Sequence, residues 1–483
     1  MEKFGKGLSA ALKTQNFRQL IKNEAIKKFN GDTDVLYQLI KNQPIGDVYM
    51  KKSGVTVEGA NTFHDFLIPF FSSEQELNAF ESKMPTLTVF VPELPENSFS
   101  AENWDINDEN QIPDVALRLD NITYVPVIGR DDDNYLIAPE DVPSWAVVVV
   151  KENERMTAST DASYNSLNTR VISSTEGIDF KFSSNNFDPQ FTSFSDGFVG
   201  ATDNNIPQYL KTGYDVFAAN PFVNWQRDNI YYGLTPGTTT GAISGGKYRE
   251  HIVTFRMNAS TPMASYLAIA DSFNEVKRDP LLRQTWQRGN PTAWTEGNFE
   301  FSVNCFYGAK GANLGLSLEQ KLPCTPNDLF NISWESRTTG WWFWRKTWFR
   351  PIISGVKTMN TAVPGRTRLA FATWNLNEFS NVWRYVFDEI DASTTTVTSE
   401  TNTVKFNANI SMDTKIGLKF GASGETTNTN SWAVTVIAGN DALGAFVLPF
   451  WDNPINMVNG QYRLRRYTTS LIEVSVAPLQ VQF

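Results

Sequence analysis

The sequence predicts a mostly β protein, α+β overall, with a short N-terminal helical segment, a mixed middle and an antiparallel, sandwich-like C-terminal domain. Three observations predict this fold class. Apolar residues recur with helical spacing only near the start of the chain. Beyond about residue 84, short apolar runs are separated by Pro, Asn, Asp and Gly, which is typical of strands. The C-terminal region has the most regular alternation of apolar and polar residues.

The first 45 residues favour helices. The spacing of Phe17 and Ile21 predicts one helix that begins near Asn16, a suitable N-cap, and ends near Gly31. A second, shorter helix is expected to start at Asp32 or Asp34 and to end before Pro44, which cannot continue it. The N-terminal segment is therefore predicted to be helical rather than β.

Changes in composition along the chain predict three regions. Strands are expected at the runs LTVFVPELP, ITYVPVIG and SWAVVVV in the middle of the chain, and at FEFSVNCFYG further on. No fixed-period repeat is present, so a solenoid or propeller is not predicted. The predicted regions are an N-terminal helical segment at 1–83, a mixed β-rich region at 84–290, and an antiparallel β domain at 291–483 that carries an amphipathic hairpin at about 400–436.

The composition excludes several classes of function. Two His and two Cys are too few for a multi-histidine catalytic zinc site or a site built from four thiolates. A net charge of −10 argues against a nucleic-acid partner, which needs a concentrated basic face. The low charged fraction of 19% and the many Ser, Thr and Asn residues favour a secreted or cell-surface protein, although the chain shows no signal peptide.

Short motifs of known enzymes fail at specific residues. The segment GAISGGK matches a phosphate-binding loop until Tyr248, where a Ser or Thr hydroxyl is required for Mg²⁺. Ser244 and Ser354 each begin an S-x-x-K sequence, but neither lies in a helical pattern. His64 and His251 each adjoin a carboxylate, without an identifiable nucleophile. The sequence therefore predicts no catalytic residue, and we expect a protein that is not an enzyme.

Three acidic clusters have the composition of calcium ligands, and two of them are candidate sites. Calcium binds several carboxylate and carbonyl oxygens from flexible loops. Both clusters lie near Pro-, Asn- or Gly-rich segments, where such Asp residues also simply cap turns. Calcium is the one cofactor that the sequence suggests, and its candidate ligands are Asp131, Asp132, Asp133, Asp388, Glu389 and Asp391.

Tryptophan is concentrated between residues 334 and 348. Such rings stack on sugars or lie at the headgroup boundary of a membrane, but they also fill protein cores. Basic residues between them would suit an anionic partner. The candidate membrane or ligand contacts in this cluster are Trp341, Trp342, Trp344 and Trp348.

Cys305 and Cys324 lie in predicted strands. The sequence leaves two alternatives open. The two residues form a disulfide in an oxidising compartment, or they remain as two buried thiols.

An amphipathic hairpin is predicted close to the C-terminal end of the chain. Apolar and polar residues alternate over 404–412 and again over 415–422, on either side of a turn near Asp413. One face would contact a core or lipid, and the other would remain in water. The candidate contacts on the apolar face are Phe406, Ile410, Leu418 and Phe420.

The Thr- and Ser-rich segments around this hairpin, STTTVTSETNT and ETTNTNS, resemble those of the aerolysin and epsilon-toxin group of β-pore-forming toxins. The strings WNLNEFSNVWRYVFDEIDASTTT and KIGLKFGASGETTNTN are similar to segments of uncharacterised exported proteins of Bacteroidota. Both resemblances cover about the last quarter of the chain. The helical N-terminus departs from the long all-β body of the toxins, and no catalytic or receptor residue is carried over.

We therefore expect a non-enzymatic, exported or surface β-rich protein, toxin-like or binding, that interacts with membranes through the hairpin. The first alternative is an extracellular carbohydrate- or surface-binding protein that uses the Trp cluster. The second is a glycosidase-like hydrolase with paired carboxylates, although no pair can be singled out among 52 acidic residues. The expected partners are a membrane surface or a glycan, with self-association into an oligomer.

Overall fold

Antiparallel strands make up most of the regular structure, and helices are concentrated near the N-terminus. The predicted mostly β fold class is thus confirmed. The structure is a computed structural model. It describes residues 1–45, 50–52, 55–57, 62–119, 124–131, 133–138, 141–159, 169–175, 177–192, 200–219, 227, 247–269, 293–307, 317–340, 345–363, 368–374, 379, 382–390, 402–411, 427–436, 441–450 and 452–480.

The helices are short, and none in the described ranges is long and apolar enough to cross a membrane. They are α1 Glu2–Ala11, α2 Gln15–Ile26, α3 Tyr37–Ile40, α4 Phe63–Leu67, α5 Glu74–Lys83, α6 Pro189–Thr192, α7 Gln208–Ala219, α8 Pro262–Leu267 and α9 Pro326–Leu329.

The strands begin within the N-terminal segment and continue almost to the end of the chain. They are β1 Asp34–Leu36, β2 Met50–Lys52, β3 Val55–Val57, β4 Leu87–Phe90, β5 Asp114–Leu117, β6 Val125–Ile128, β7 Asn134–Ile137, β8 Val142–Pro143, β9 Val147–Glu152, β10 Met156–Ser159, β11 Val171–Thr175, β12 Ile178–Phe182, β13 Tyr248–Met257, β14 Phe299–Phe306, β15 Ser317–Cys324, β16 Phe330–Thr339, β17 Lys346–Val356, β18 Met359–Asn360, β19 Leu369–Ala370, β20 Val382–Glu389, β21 Asn402–Ser411, β22 Thr427–Val436, β23 Asp441–Pro449, β24 Ile455–Val458, β25 Gln461–Leu464, β26 Tyr467–Thr468 and β27 Ile472–Gln480.

The first predicted helix is present as α2, with Thr14 rather than Asn16 at its N-cap. The second predicted helix is wrong for most of its length, because residues 34–36 form β1 and only one helical turn, α3, follows. Val35 lies opposite Val89 of β4. This pairing joins segments that are far apart in sequence, so local periodicity could not reveal it.

The N-terminal core is a six-stranded sheet covered by helices, in the order β1-β4-β9-β5-β6-β7. Its strands are antiparallel except for the parallel pair β5–β9. Phe4 and Leu8 of α1 are fully buried in this core, as are the four consecutive valines 147–150 of β9. One strand of this sheet, β1, belongs to the predicted N-terminal segment at 1–83, whereas the other five come from the region that follows it.

The C-terminal core lies between two antiparallel sheets that face each other. One contains β13, β18, β19, β26 and β27, and the other has the order β15-β14-β20-β23. The Phe255 ring of β13 packs 5.0 Å from Phe301 of β14 and 6.3 Å from Phe387 of β20, measured between centroids. Such face-to-face packing of two sheets is the predicted sandwich-like arrangement.

Buried charges join the two cores. The Arg155 guanidinium, next to β10, donates to the Glu300 carboxylate of β14 at 2.7 Å and to the Asn30 carbonyl at 2.8 Å. The Lys151 ammonium lies 3.6 Å from Asp34 and donates to the Glu296 carbonyl at 2.7 Å. Burial raises the pKa of Glu300 to about 7, while Arg155 opposes this rise. One end of the N-terminal sheet is therefore tied to β14 by buried ion pairs.

Candidate functional site

The predicted hairpin is an insertion between two strands that pair directly with each other. β20 and β23 are antiparallel neighbours, from Val382 opposite Pro449 to Glu389 opposite Asp441. The chain between them contains β21 and β22, which pair with each other over ten residues each. Within the described residues these two strands pair with no other strand. We call this two-stranded element the inserted ribbon.

The register of the inserted ribbon separates its residues into two chemically different faces. Residues opposite each other in an antiparallel pair share a face. On one face Val404 lies opposite Val434 and Phe406 lies opposite Trp432, whereas Ala408 and Ile410 of the same face lie opposite Asn430 and Asn428. The alternate positions are polar on both strands, apart from Ala433. They are Thr403 with Thr435, Lys405 with Ala433, Asn407 with Ser431, Asn409 with Thr429, and Ser411 with Thr427.

The first predicted arm of the hairpin coincides with β21 and includes Phe406 and Ile410. Its partner in the structure is β22 rather than the predicted second arm at 415–422. That second arm, with Leu418 and Phe420, lies outside the described residues. The apolar residues at every second position, Trp432, Val434 and Val436, could have indicated that this segment is a strand.

A β-bulge lies at the base of the insertion. Phe387 is opposite Gly444 whereas Asp388 is opposite Ala442, so Leu443 is the extra residue. Gly444 has a φ of +135°, and a Cβ there would lie 2.5 Å from the Thr469 hydroxyl. Only glycine fits both restraints. The bulge bends β23 close to where the inserted ribbon leaves the sheet.

A second ribbon, formed by β16 and β17, carries the described part of the tryptophan cluster. Most of β16 is exposed, including Trp334 at 39%. β17 pairs on its other side with β8, where Trp348 lies opposite Pro143. Because β16 ends at Thr339 and β17 begins at Lys346, Trp341, Trp342 and Trp344 fall in the intervening segment, outside the described residues.

Trp348 packs into a cluster of aromatic rings around a lysine. Its ring meets Trp145 edge to face at 4.6 Å, between centroids. The Lys346 ammonium lies 4.2 Å from the centroid of the Tyr135 ring and 4.7 Å from that of Trp145. Cation–π attraction of this kind holds β17 against the N-terminal sheet. Trp348 is therefore half-buried within the protein rather than fully available to a ligand.

A buried carboxylate lies behind these rings. Asp114 accepts hydrogen bonds from the Tyr135 hydroxyl at 2.6 Å and from the Trp145 indole at 3.0 Å. Burial raises the pKa of Tyr135 above its usual value, and the negative charge of Asp114 adds a smaller rise. No local pattern in the sequence indicates this cluster, because its members come from β5, β7, β17 and the segment between β8 and β9.

The two acidic clusters differ in their surroundings. Asp131 is exposed and lies 3.8 Å from Arg130, while Asp133 closes a turn on Gly129. Asp132 and Asp391 lie outside the described residues. In the part of the chain that is described, no three His, Cys, Asp or Glu residues are grouped as metal ligands. Calcium binding therefore stays a prediction.

Asp388 and Glu389 lie in the middle of a sheet rather than in a loop. Both are buried in β20, between β14 and β23. Burial raises the pKa of Asp388 to about 6, although Lys321 opposes the rise. A desolvated carboxyl in a strand interior lacks the flexible oxygen ligands that calcium prefers.

The two cysteines are free and buried. Cys305 lies opposite Leu318, and Cys324 lies opposite Phe299, so the two are six pairs apart along the β14–β15 ladder. At about 3.4 Å per residue, this separation is far beyond the reach of a disulfide. Of the two alternatives left open by the sequence, the structure has the buried thiols.

The two histidines lie in different parts of the fold. His64 of α4 makes a 3.2 Å hydrogen bond with the Asn78 side chain. His251 is buried in β13, where its Nδ1 lies 2.8 Å from the Arg249 carbonyl. Burial lowers the pKa of His251 to about 4. The neighbouring carboxylate Glu250 instead accepts hydrogen bonds from Arg227 and Trp374.

The inserted ribbon and the β16–β17 ribbon are thus the two candidate interaction elements of the described chain. The buried ion pairs between the cores are already neutralised by their own partners. No family model, curated protein or solved structure matches the chain.

Proposed function

We propose that this protein is a non-enzymatic, exported or surface-located protein that acts on membranes by inserting the ribbon formed by β21 and β22. The observation that carries this proposal is the amphipathic register of a ribbon that pairs only with itself in the described residues. A ribbon that belonged to a core sheet would have a further strand at its edge. Among the described strands, neither β21 nor β22 pairs with a strand of the sheet into which they are inserted.

The length of the ribbon supports this function. Each arm has ten residues, and a tilted strand needs about 9–11 residues to cross the hydrocarbon layer of a bilayer. Alternation of apolar and polar residues places one face towards lipid and the other towards water. The match in length and the match in pattern are independent of each other.

Insertion of one ribbon alone would leave its two outer edges with unpaired backbone groups in lipid, which costs several kcal/mol per group. Ribbons from several copies must therefore pair side by side. The proposal accordingly includes assembly into an oligomer on the membrane. It also accounts for the resemblance to β-pore-forming toxins.

The experiment is dye release from liposomes, with cross-linking to detect the oligomer. We expect release by the wild-type protein, and its loss when Phe406→Asp and Ile410→Asp place charges on the apolar face. The matched controls Thr403→Asp and Asn407→Asp add the same charges to the polar face, and we expect them to retain release. Liposomes that remain intact at neutral and acid pH, before and after limited proteolysis, would contradict the proposal.

A further inference from the structure

A cavity of about 320 Å³ lies between the N-terminal core and the β16–β17 ribbon. Its walls come from separate parts of the chain: the turn before β1 at Gly31 and Asp32, the segment from Trp294 to Asn298, Tyr266 of α8, and the ribbon itself. Cavities of this size are typical of small-molecule sites, which tend to form where structural units meet.

Aromatic rings form much of the wall. Tyr266 and Trp294 are almost fully buried, at 4% and 7% exposure, while Trp334 is 39% exposed. Trp334 lies opposite Pro351 in the β16–β17 ladder, and both residues line the cavity. Ile352, the next residue in β17, lies opposite Ser333 on the other face of the ribbon. The register of the ribbon thus selects which of its residues face the cavity.

Polar groups accompany these rings. The indole nitrogen of Trp294 is buried and has no hydrogen-bond partner in the described structure. Asn298, which is half-buried, and Asn327, which is exposed, also line the cavity. A buried donor that lacks a partner is unfavourable, and a ligand that accepts its hydrogen bond removes this cost. Such groups are suited to a ligand that carries several hydroxyls.

The charges that line the cavity are already neutralised. The Lys28 ammonium lies 3.3 Å from the Glu93 carboxylate. The Asp32 carboxylate lies 3.6 Å from the Arg155 guanidinium and accepts a hydrogen bond from the Asn298 backbone at 3.2 Å. Each described cation that lines this cavity or the adjoining one, Lys28 and Arg155, is paired with carboxylates, which favours a neutral ligand.

A second cavity, of about 200 Å³, adjoins the first and shares Gly31, Asn298 and Thr325 with it. Its own polar lining includes Asn186, whose amide is already bonded to the Lys321 carbonyl at 2.7 Å. The two cavities meet at these shared residues, among which Asn298 carries a side-chain amide.

We propose that these two cavities bind a neutral saccharide of at least two rings. The aromatic faces of Trp334 and Tyr266 would pack against the C–H faces of a sugar ring, since such rings have a large apolar body. The amides of Asn298 and Asn327 would bond to its hydroxyls. This site goes beyond the membrane function proposed above and does not depend on it.

The test is an array of neutral glycans, followed by calorimetric titration of the full-length protein with the disaccharide that binds best. We expect millimolar or tighter binding, weakened about tenfold by Trp334→Ala, which corresponds to the roughly 1.4 kcal/mol of a well-packed ring. Asn298→Ala should weaken it similarly. Ile352→Ala, on the other face of the same ribbon, should bind as the wild type does.

A blank array overturns the saccharide site, as does unchanged affinity in Trp334→Ala. Tighter binding of inorganic phosphate than of any sugar also overturns it. Trp334 is exposed, so its replacement should leave folding intact, and circular dichroism checks this. Dye release is measured on the same variants and should not change, so failure of the saccharide site and failure of the membrane function remain distinguishable.

Discussion

Gly444 shows how a single missing side chain shapes the base of the inserted ribbon. We expect Gly444→Ala to lower the free energy of unfolding by about 2–4 kcal/mol, because it combines a disfavoured φ with a collision at Thr469. Gly460 is the matched control, since it also has a positive φ, +74°, but has open space around it. Gly460→Ala should cost only about 1 kcal/mol. Equal losses in chemical denaturation of the two variants would contradict this explanation.

His251 provides a prediction about pH. Because burial lowers its folded-state pKa to about 4, from 6.5, the folded protein binds this proton less readily than the unfolded chain does. His251 therefore contributes stability that is present above about pH 6.5 and is lost as the pH falls towards 4. A shift of this size corresponds to roughly 3 kcal/mol.

Histidine-selective NMR can measure this directly, because the chain has only two histidines. We expect the His251 ring signal to remain that of neutral imidazole between pH 8 and about pH 5. His64→Gln assigns the remaining signal to His251. Titration of that signal near pH 6.5 would show that the ring is not buried in solution.

At the scale of elements, the inserted ribbon should be separable from the sheet that carries it. β20 and β23 pair directly up to Glu389 and Asp441, so a two-residue turn can join them. We expect replacement of residues 390–440 by Asn-Gly to leave a folded protein with an almost unchanged melting temperature and no dye release. Calorimetry and circular dichroism measure the first result, and liposomes measure the second. An unfolded product would mean that the insertion is part of the core.

The sequence predicted individual strands better than it predicted their partners. The runs around β4, β6, β9 and β14 were recognisable because each is apolar and bounded by Pro, Gly or Asn. Residues 34–36 were predicted to be helical from their local spacing. Their strand partner, β4, lies about fifty residues further on, where local spacing cannot reveal it. The same limit applied to the Asp114 cluster and to the cavity at Trp294, whose members meet only in the folded chain.

For the candidate site, periodicity predicted β21 correctly, since alternation is a local property. It did not predict β22 as its partner, because the Thr- and Asn-rich start of that strand looks like a loop. The positions of Asp388 and Glu389 were also predicted wrongly. Acidic residues next to a Ser- and Thr-rich segment suggested a loop, whereas both are buried in a central strand.

At the scale of the whole molecule, the buried ion pairs should couple the unfolding of the two cores. We expect Arg155→Met to cost about 3–5 kcal/mol, because it leaves Glu300 buried without its charge partner. Differential scanning calorimetry should then show two transitions where the wild type shows one. The double variant Arg155→Met/Glu300→Leu should recover most of the loss, since an apolar pair can replace a buried ion pair. A single, unshifted transition in Arg155→Met would contradict this coupling.

The connections of the inserted ribbon have a further consequence for its use. Only residues 437–440 separate β22 from β23, so five steps along the chain join Val436 to Asp441. A fully extended chain of that length spans at most about 18 Å. If the ribbon spans a bilayer, this short tether keeps the edge of the C-terminal sandwich within that distance of the lipid. The protein would then lie close against the membrane surface instead of standing away from it on a stalk.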